Sequence, residues 1–336
     1  MIRVNDILSI LPINVKNIFP RLHIDFERLY EIRLRTGMPV MIVYDDREYF
    51  LCSERGLCER VEESYTVSEK DIRECMEYVS NYSLYAYEEE LRQGYITVKG
   101  GHRVGVAGKT VCERDNVKNI KYISCINIRV AHECKGCSDR YLPYLIESGR
   151  YLDTLIISPP RCGKTTFLRD IVRNISNGNV YVSGKNVGVV DERSEIGACY
   201  RGVPGCDLGI RTDILDNCPK ALGMMMLIRS MSPDYICVDE IGGNADADAI
   251  SYANRSGCNI FATVHGLDYE DISRKAGIKE LIKMGVFKRF VVMDREPSIG
   301  HISCILNQDK EYIYSADEKP HSLISLRPVA NVPEWG

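Results

Sequence analysis

Past residue 150 the chain alternates apolar runs with polar or glycine-containing loops. Runs at Thr154–Ile157, Val187–Val190, Tyr235–Val238, Asn259–Val264 and Arg289–Met293 are too uninterrupted for strands with one wet face. They predict strands buried on both faces of a mostly parallel sheet. After the first run, Phe167, Leu168, Ile171, Val172 and Ile175 recur at helical spacing, with Arg169, Asp170, Arg173 and Asn174 opposite. An α/β sheet of this kind binds ligands at the C-terminal ends of its strands. Any chemistry is expected there.

Before residue 150 the texture is mixed. Short β-type runs at Pro39–Val43, Tyr95–Val98 and Ile126–Ala131 accompany a helical stretch over Ser68–Leu91, where Ile72, Cys75, Met76, Val79 and Tyr82 share a face. Turn chemistry marks Lys99-Gly-Gly-His102 and Ala107-Gly-Lys109. The expected division is a smaller mixed α+β domain over 1–149 and an α/β domain over 150–336.

Composition narrows the class. With 45% hydrophobic and 27% charged residues, the 336-residue chain is ordinary globular protein of about two domains. No apolar run approaches the roughly 18–20 residues that span a bilayer, and the start carries Asp6 and two prolines without a cleavage site. The expectation is a cytoplasmic protein. A net charge of −4 is a poor footprint for a nucleic-acid binder. The 14 cysteines scatter, with one close pair, Cys134-Lys-Gly-Cys137, near His132. No second Cys-x-x-Cys completes a four-ligand set, so no zinc is expected, and the thiols read as small buried hydrophobes in a reducing compartment.

Ser158-Pro159-Pro160-Arg161-Cys162-Gly163-Lys164-Thr165 joins the 154–157 run to the following helix. Strand, tight loop and helix N-terminus make the setting of a phosphate-binding loop. Gly163 admits a close phosphate, and N–H groups around Cys162–Thr166 point into the cradle. Lys164 would reach the outer phosphates and Thr165 would ligate Mg²⁺. The strict pattern has glycine where Ser158 stands; Pro159 and Pro160 stiffen the turn instead. Tyr235-Ile-Cys-Val-Asp239-Glu240 ends a second strand in two carboxylates, with Asp239 on the metal side through water and Glu240 as water-polarising base. A second acidic strand end runs from Asp191 to Glu195, and Gly257–Gly266 holds an apolar strand that ends in Thr263 and His265 on one side, where His265 would meet a terminal phosphate. Each acid or histidine alone reads as a solvated strand end.

Taken in order, these motifs resemble the secretion ATPases, hexameric motors of type II and type IV secretion and of the type IV pilus. Glu195 falls on the glutamate of their aspartate box, Glu240 on that of their Walker B strand, and His265 on their histidine box. The stretches NYSLYAYEEELRQGYITVKGGHRVGVAGK, IISPPRCGKTTFLRDI, VGVVDERSEI and RTDILDNCPKA are similar to the narrower stage III sporulation protein AA family of endospore-forming bacteria, over roughly residues 30–270. The resemblance implies a RecA-like P-loop ATPase core behind a PAS-like amino-terminal domain. It further implies ATP and Mg²⁺ as ligands, a homo-hexamer, and catalytic roles for Lys164, Glu240 and Glu195. Arg103 and Arg129 stand where that first domain presents arginines to nucleotide, and Arg193, Arg211 and Arg229 are candidates to act across a subunit boundary. It places the protein at the mother-cell face of the channel joining mother cell and forespore, held to the membrane through partner membrane proteins. ATP is expected over GTP because no Asn-Lys-x-Asp motif occurs. The competing readings are a nucleic-acid-dependent motor on the same core, and a nucleotide-gated scaffold with little turnover.

Overall fold

A computed structural model describes residues 4–83, 87–92, 94–113 and 116–317. The chain forms two compact units, one running to Glu133 and taking back Ala198–Gly205, the other made of Cys134–Gly197 and the chain from Cys206 onward.

The first unit is built on an antiparallel sheet of seven strands: β1 Leu29–Arg35, β2 Met41–Tyr44, β3 Arg47–Cys52, β4 Gly56–Cys58, β5 Tyr95–Thr97, β6 Arg103–Glu113 and β7 Asn116–Arg129, in the order β4-β3-β2-β1-β7-β6-β5. The helix Glu69–Val79 packs Ile72, Cys75, Met76 and Val79 into its core. Ser68 and Asp71 close a reciprocal capping box at its start. The single helical stretch expected over Ser68–Leu91 is broken, because Asn81 and Tyr82 turn left-handed at φ 47 and 61; a separate helix covers Glu88–Arg92. Residues 84–86 of that stretch lie outside the described residues, as do 318–336 of the second expected domain. The turn expected at Ala107-Gly-Lys109 is instead a register shift within β6. Glycine is needed there for proximity, since a Cβ on Gly108 would lie 2.6 Å from the Tyr122 carbonyl oxygen of the paired strand.

The turn at 99–102 does form, and it buries His102 at 1% exposure. Nδ1 accepts the Ala131 N–H at 3.0 Å, which leaves the proton of the neutral ring on Nε2. Burial depresses this imidazole to about 4, with His132 lowering it further and Asp6 opposing. A histidine of the unfolded chain titrates near 6.5, so the unfolded state takes the proton first as pH falls. Stability from this site is complete above about pH 6.5 and is lost towards pH 4, on the order of 3 kcal/mol across the window. Urea denaturation of wild type and His102→Asn from about pH 7 to about pH 4.5 checks this. The Asn variant keeps an acceptor for Ala131 and is expected to lose less stability over that range.

The second unit carries the parallel sheet. Its strands are β8 Ile146–Glu147, β9 Arg150–Tyr151, β10 Thr154–Ser158, β11 Val187–Asp191, β12 Thr212–Asp216, β13 Tyr235–Val238, β14 Asn259–His265, β15 Arg289–Asp294, β16 His301–Asn307 and β17 Tyr312–Ser315. The large sheet runs β12-β11-β13-β14-β10-β15-β16-β17, parallel from β12 to β15, with β16 and β17 antiparallel at one edge; β8 and β9 form a small hairpin. All five apolar runs are strands, and β10, β11 and β13 are buried at every residue. The strand order sets β14 between β10 and β13, with Ser158 level with His265. The ends of β10, β14, β13 and β11 therefore open on one crevice.

The helix Lys164–Asn177 buries Phe167, Leu168, Ile171, Val172 and Ile175 against the sheet. Its opposite face is not simply solvated, because Asp170 and Asn174 are buried as well. They hold the loop at 136–139: Asp170 accepts the Gly136 and Ser138 N–H groups at 3.0 and 2.9 Å, and the Asn174 amide reaches Ser138 and Asp139.

Candidate functional site

Ser158 ends β10 fully buried, its hydroxyl turned onto the Pro159 carbonyl at 2.8 Å. Pro159 and Pro160 carry the chain outward to Arg161, which sits left-handed at φ 63. Gly163, at φ 86, is the N-cap of the helix. A Cβ on Gly163 would meet nothing closer than 3.4 Å, so glycine serves the backbone angle there rather than space. Cys162 is buried, and its carbonyl accepts the Gly300 N–H at 3.1 Å, which ties the loop to the segment before β16. The first intrahelical bond runs from Phe167 N–H to the Gly163 carbonyl. The N–H groups of Lys164, Thr165 and Thr166 precede it and have no acceptor within the helix, at its electropositive end. Such a helix start suits an anion.

Two direct bonds join this loop to the end of β13. The Lys164 ammonium lies 2.7 Å from Glu240 Oε1, both side chains being largely buried. The Thr165 hydroxyl donates to Asp239 Oδ2 at 2.6 Å. Asp239 also accepts from the Thr263 hydroxyl on β14, and that hydroxyl in turn accepts the Glu240 N–H at 2.8 Å. Glu240 has two further partners, His265 Nε2 at 2.9 Å and the Arg193 guanidinium at 2.7 Å. Burial alone would raise its pKa, but the Lys164 hydrogen bond and the charges of Lys164, His265 and Arg193 outweigh it. The carboxyl is held below its ordinary range. Glu240 itself is left-handed at φ 55, a conformation uncommon without a local reason.

The acidic box after β11 divides its labour. Asp191 is buried and accepts three backbone N–H groups, from Glu195, Ile196 and Gly197, each at 2.8 Å. Burial nevertheless pushes it up to about 6. Arg169 on the phosphate-loop helix donates to the carbonyls of Glu195 and Ile196 at 2.6 and 2.7 Å. The box is thus clamped from both sides through its main chain, while the half-buried Glu195 side chain and Glu192 line a cleft of about 10 Å³ with Asp239 and Glu240. Size does not locate this site. A cavity of about 790 Å³ lies instead in the first unit, between the helix Glu69–Val79 and residues 119–124 of β7.

The structure brings together Lys164, Thr165, Asp239, Glu240 and His265. Period-two geometry sets Thr263 beside His265 but assigns it no role; its hydroxyl joins Asp239 to the Glu240 backbone. The clamp by Arg169 and the turn-forming role of Asp191 left no signal beyond their residue types. Arg103 and Arg129 are directly opposite each other on β6 and β7 of the first unit. The Arg103 guanidinium lies 4.9 Å over the Tyr95 ring, and Arg129 is exposed.

Residues 1–313 match the family model described as sporulation stage III, protein AA. Stage III sporulation protein AA of Bacillus subtilis (strain 168) is 38% identical over 306 residues, which are 91% of this chain and 95% of that protein. A shorter likeness, 31% over 140 residues, covers 41% of this chain and 19% of the Arabidopsis thaliana protein Seedling plastid development 1. Among solved structures, the ATPase DotB of Legionella pneumophila aligns over 80% of this chain and 72% of its own at a TM-score of 0.51 and 14% identity. The pilus retraction motor PilT aligns over 82% and 75%, again at 0.51 and 14%. At that identity the likeness carries the fold alone, a RecA-like α/β core. On the family match and the full-length relative, this chain belongs to the stage III sporulation protein AA family.

Proposed function

We propose that this protein binds ATP at the strand-end crevice of its second unit and hydrolyses it. The observation that carries the reading is the pair of bonds Lys164–Glu240 and Thr165–Asp239, which set the loop's cation and hydroxyl directly against two carboxylates. The donor set fits the ligands. A helix N-terminus with Lys164 suits phosphate oxygens, and the Thr165 hydroxyl with the Asp239 carboxylate offers the hard oxygens that Mg²⁺ prefers. Mg²⁺ held there would neutralise charge on the phosphates. Binding exchanges one anionic partner of Lys164 for another, since the phosphates compete with Glu240 for its ammonium. Glu240, held ionised, accepts a hydrogen bond from water and aims it; Glu195 is the second candidate for that task. His265 and Arg193 keep the Glu240 carboxylate in place. Ser158–Cys162 and Thr166 shape the cradle.

The same reading makes the protein a homo-oligomer, a hexamer, working at the mother-cell face of the channel that joins mother cell and forespore. Family membership supports the setting. No helix among the described residues is long and apolar enough to cross a membrane, so attachment falls to partner membrane proteins. Arg103 and Arg129 would complete the nucleotide site. An arginine aimed at the γ-phosphate acts on turnover and not on stability, because its partner is the ligand. Arg129→Ala is therefore expected to melt like wild type while losing ATPase rate and ATP-dependent mass in solution; Arg103→Ala, which also gives up the contact with Tyr95, should lose the same two properties with a small drop in melting temperature. Full activity in both would confine the chemistry to the second unit.

A further inference from the structure

The turn Cys134-Lys-Gly-Cys137 is left unused by the nucleotide chemistry. Residues 135 and 136 form a turn, and Gly136 has φ 80, the value a type II β-turn requires at its third position. Such a turn holds its first and last Cα within about 7 Å, close to the range over which a disulfide closes without large backbone movement. Both cysteines carry free thiols, but their settings differ. Cys134 is exposed, whereas Cys137 is partly buried with Sγ 3.9 Å from the Thr166 carbonyl oxygen. Burial first, then the Asp170 charge and Cys134, raise the Cys137 thiol and keep it protonated. Cys134 is the sulfur that a solution oxidant reaches.

This turn is fastened to the phosphate-loop helix. Asp170, 3% exposed, accepts the Gly136 N–H on one oxygen, and the Ser138 N–H and hydroxyl on the other. Thr166, whose carbonyl faces Cys137, directly follows Lys164 and Thr165 in the first turn of that helix. A change in the turn is delivered where the phosphate cradle begins. Among the described residues no three His, Cys, Asp or Glu side chains are grouped so as to hold a metal ion.

We propose that Cys134 and Cys137 form a reversible disulfide that alters the phosphate loop's grip on nucleotide; the nucleotide half rests on the ATP-binding reading above. The oxidant is a low-molecular-weight disulfide. The Cys134 thiolate attacks one of its sulfurs, giving a mixed disulfide and releasing a small thiolate. Cys137 gives up its proton and displaces the second small thiolate, closing the protein disulfide. Two protein thiols lose two electrons and two protons, and one small disulfide becomes two thiols. Oxidation removes the S–H that faces the Thr166 carbonyl.

The test equilibrates the full chain at graded ratios of oxidised to reduced glutathione, with alkylation and peptide mass mapping. Amide exchange over residues 163–170 and titration with a fluorescent ATP analogue are read at each ratio. A 134–137 disulfide reversible by dithiothreitol is expected. With it, exchange over 163–170 should shift by about twofold or more and analogue affinity by about threefold or more. Cys134→Ser and Cys137→Ser should show neither response. Absence of the 134–137 link at every ratio overturns the proposal, as does a link that leaves exchange and affinity unchanged. Reduced protein that binds no analogue would sink the ATP reading instead, and exchange over 163–170 would then decide whether the disulfide acts on the helix.

Discussion

Lys164→Ala is expected to abolish ATP turnover and to weaken Mg²⁺-ATP binding while the protein stays folded. The ammonium stands at the start of the Lys164–Asn177 helix, and its present partner is Glu240 at 2.7 Å. Phosphoryl transfer depends on such fixed charge, and the loss of one electrostatic contact of this class lowers turnover on the order of 10²–10³-fold. The fold should survive because Glu240 keeps Arg193 and His265 as partners, so its carboxylate is not stranded. Without the lysine its pKa should rise, since the Lys164 hydrogen bond is the largest influence holding it down. Turnover, analogue binding and melting temperature of the purified variant check the three parts separately. Unchanged turnover would remove the loop from the active site.

Glu240→Gln should separate binding from chemistry. The amide keeps the shape and one acceptor oxygen, so Lys164, His265 and Arg193 retain a neighbour, but it no longer carries the charge that aims and polarises water. Nucleotide binding within about threefold of wild type is expected, with single-turnover hydrolysis slower on the order of 10²–10³-fold and ATP retained on the protein. Glu195→Gln is the comparison, because Glu195 is the second candidate to orient the water. If Glu195→Gln traps ATP and Glu240→Gln turns over, the water belongs to the acidic box.

The parallel core was legible because fully buried strands announce themselves as unbroken apolar runs, and each of the five runs is a strand in the second unit. Lys164, Thr165, Asp239, Glu240 and His265 were legible because spacing alone puts them at strand ends or a helix start. Less visible were features set by tertiary contact. The break after Val79 depends on left-handed Asn81 and Tyr82, residues whose side chains do not demand it. Of the long β6–β7 hairpin only the end at Ile126–Arg129 was marked by a β-type run; the rest mixes polar and apolar residues and is largely exposed, so no run announced it. Asp170 and Asn174 read as a wet helix face until the loop at 136–139 supplied the groups they satisfy.

The proposed function stands on hydrolysis of ATP by these side chains. Phosphate release from ATP by the purified full chain, with Mg²⁺ and without nucleic acid, beside Lys164→Ala under the same conditions, tests it most directly. Wild type should release phosphate in a Mg²⁺-dependent way, and the variant should be slower on the order of 10²–10³-fold or more. Equal release from both proteins, or none from wild type, would contradict it.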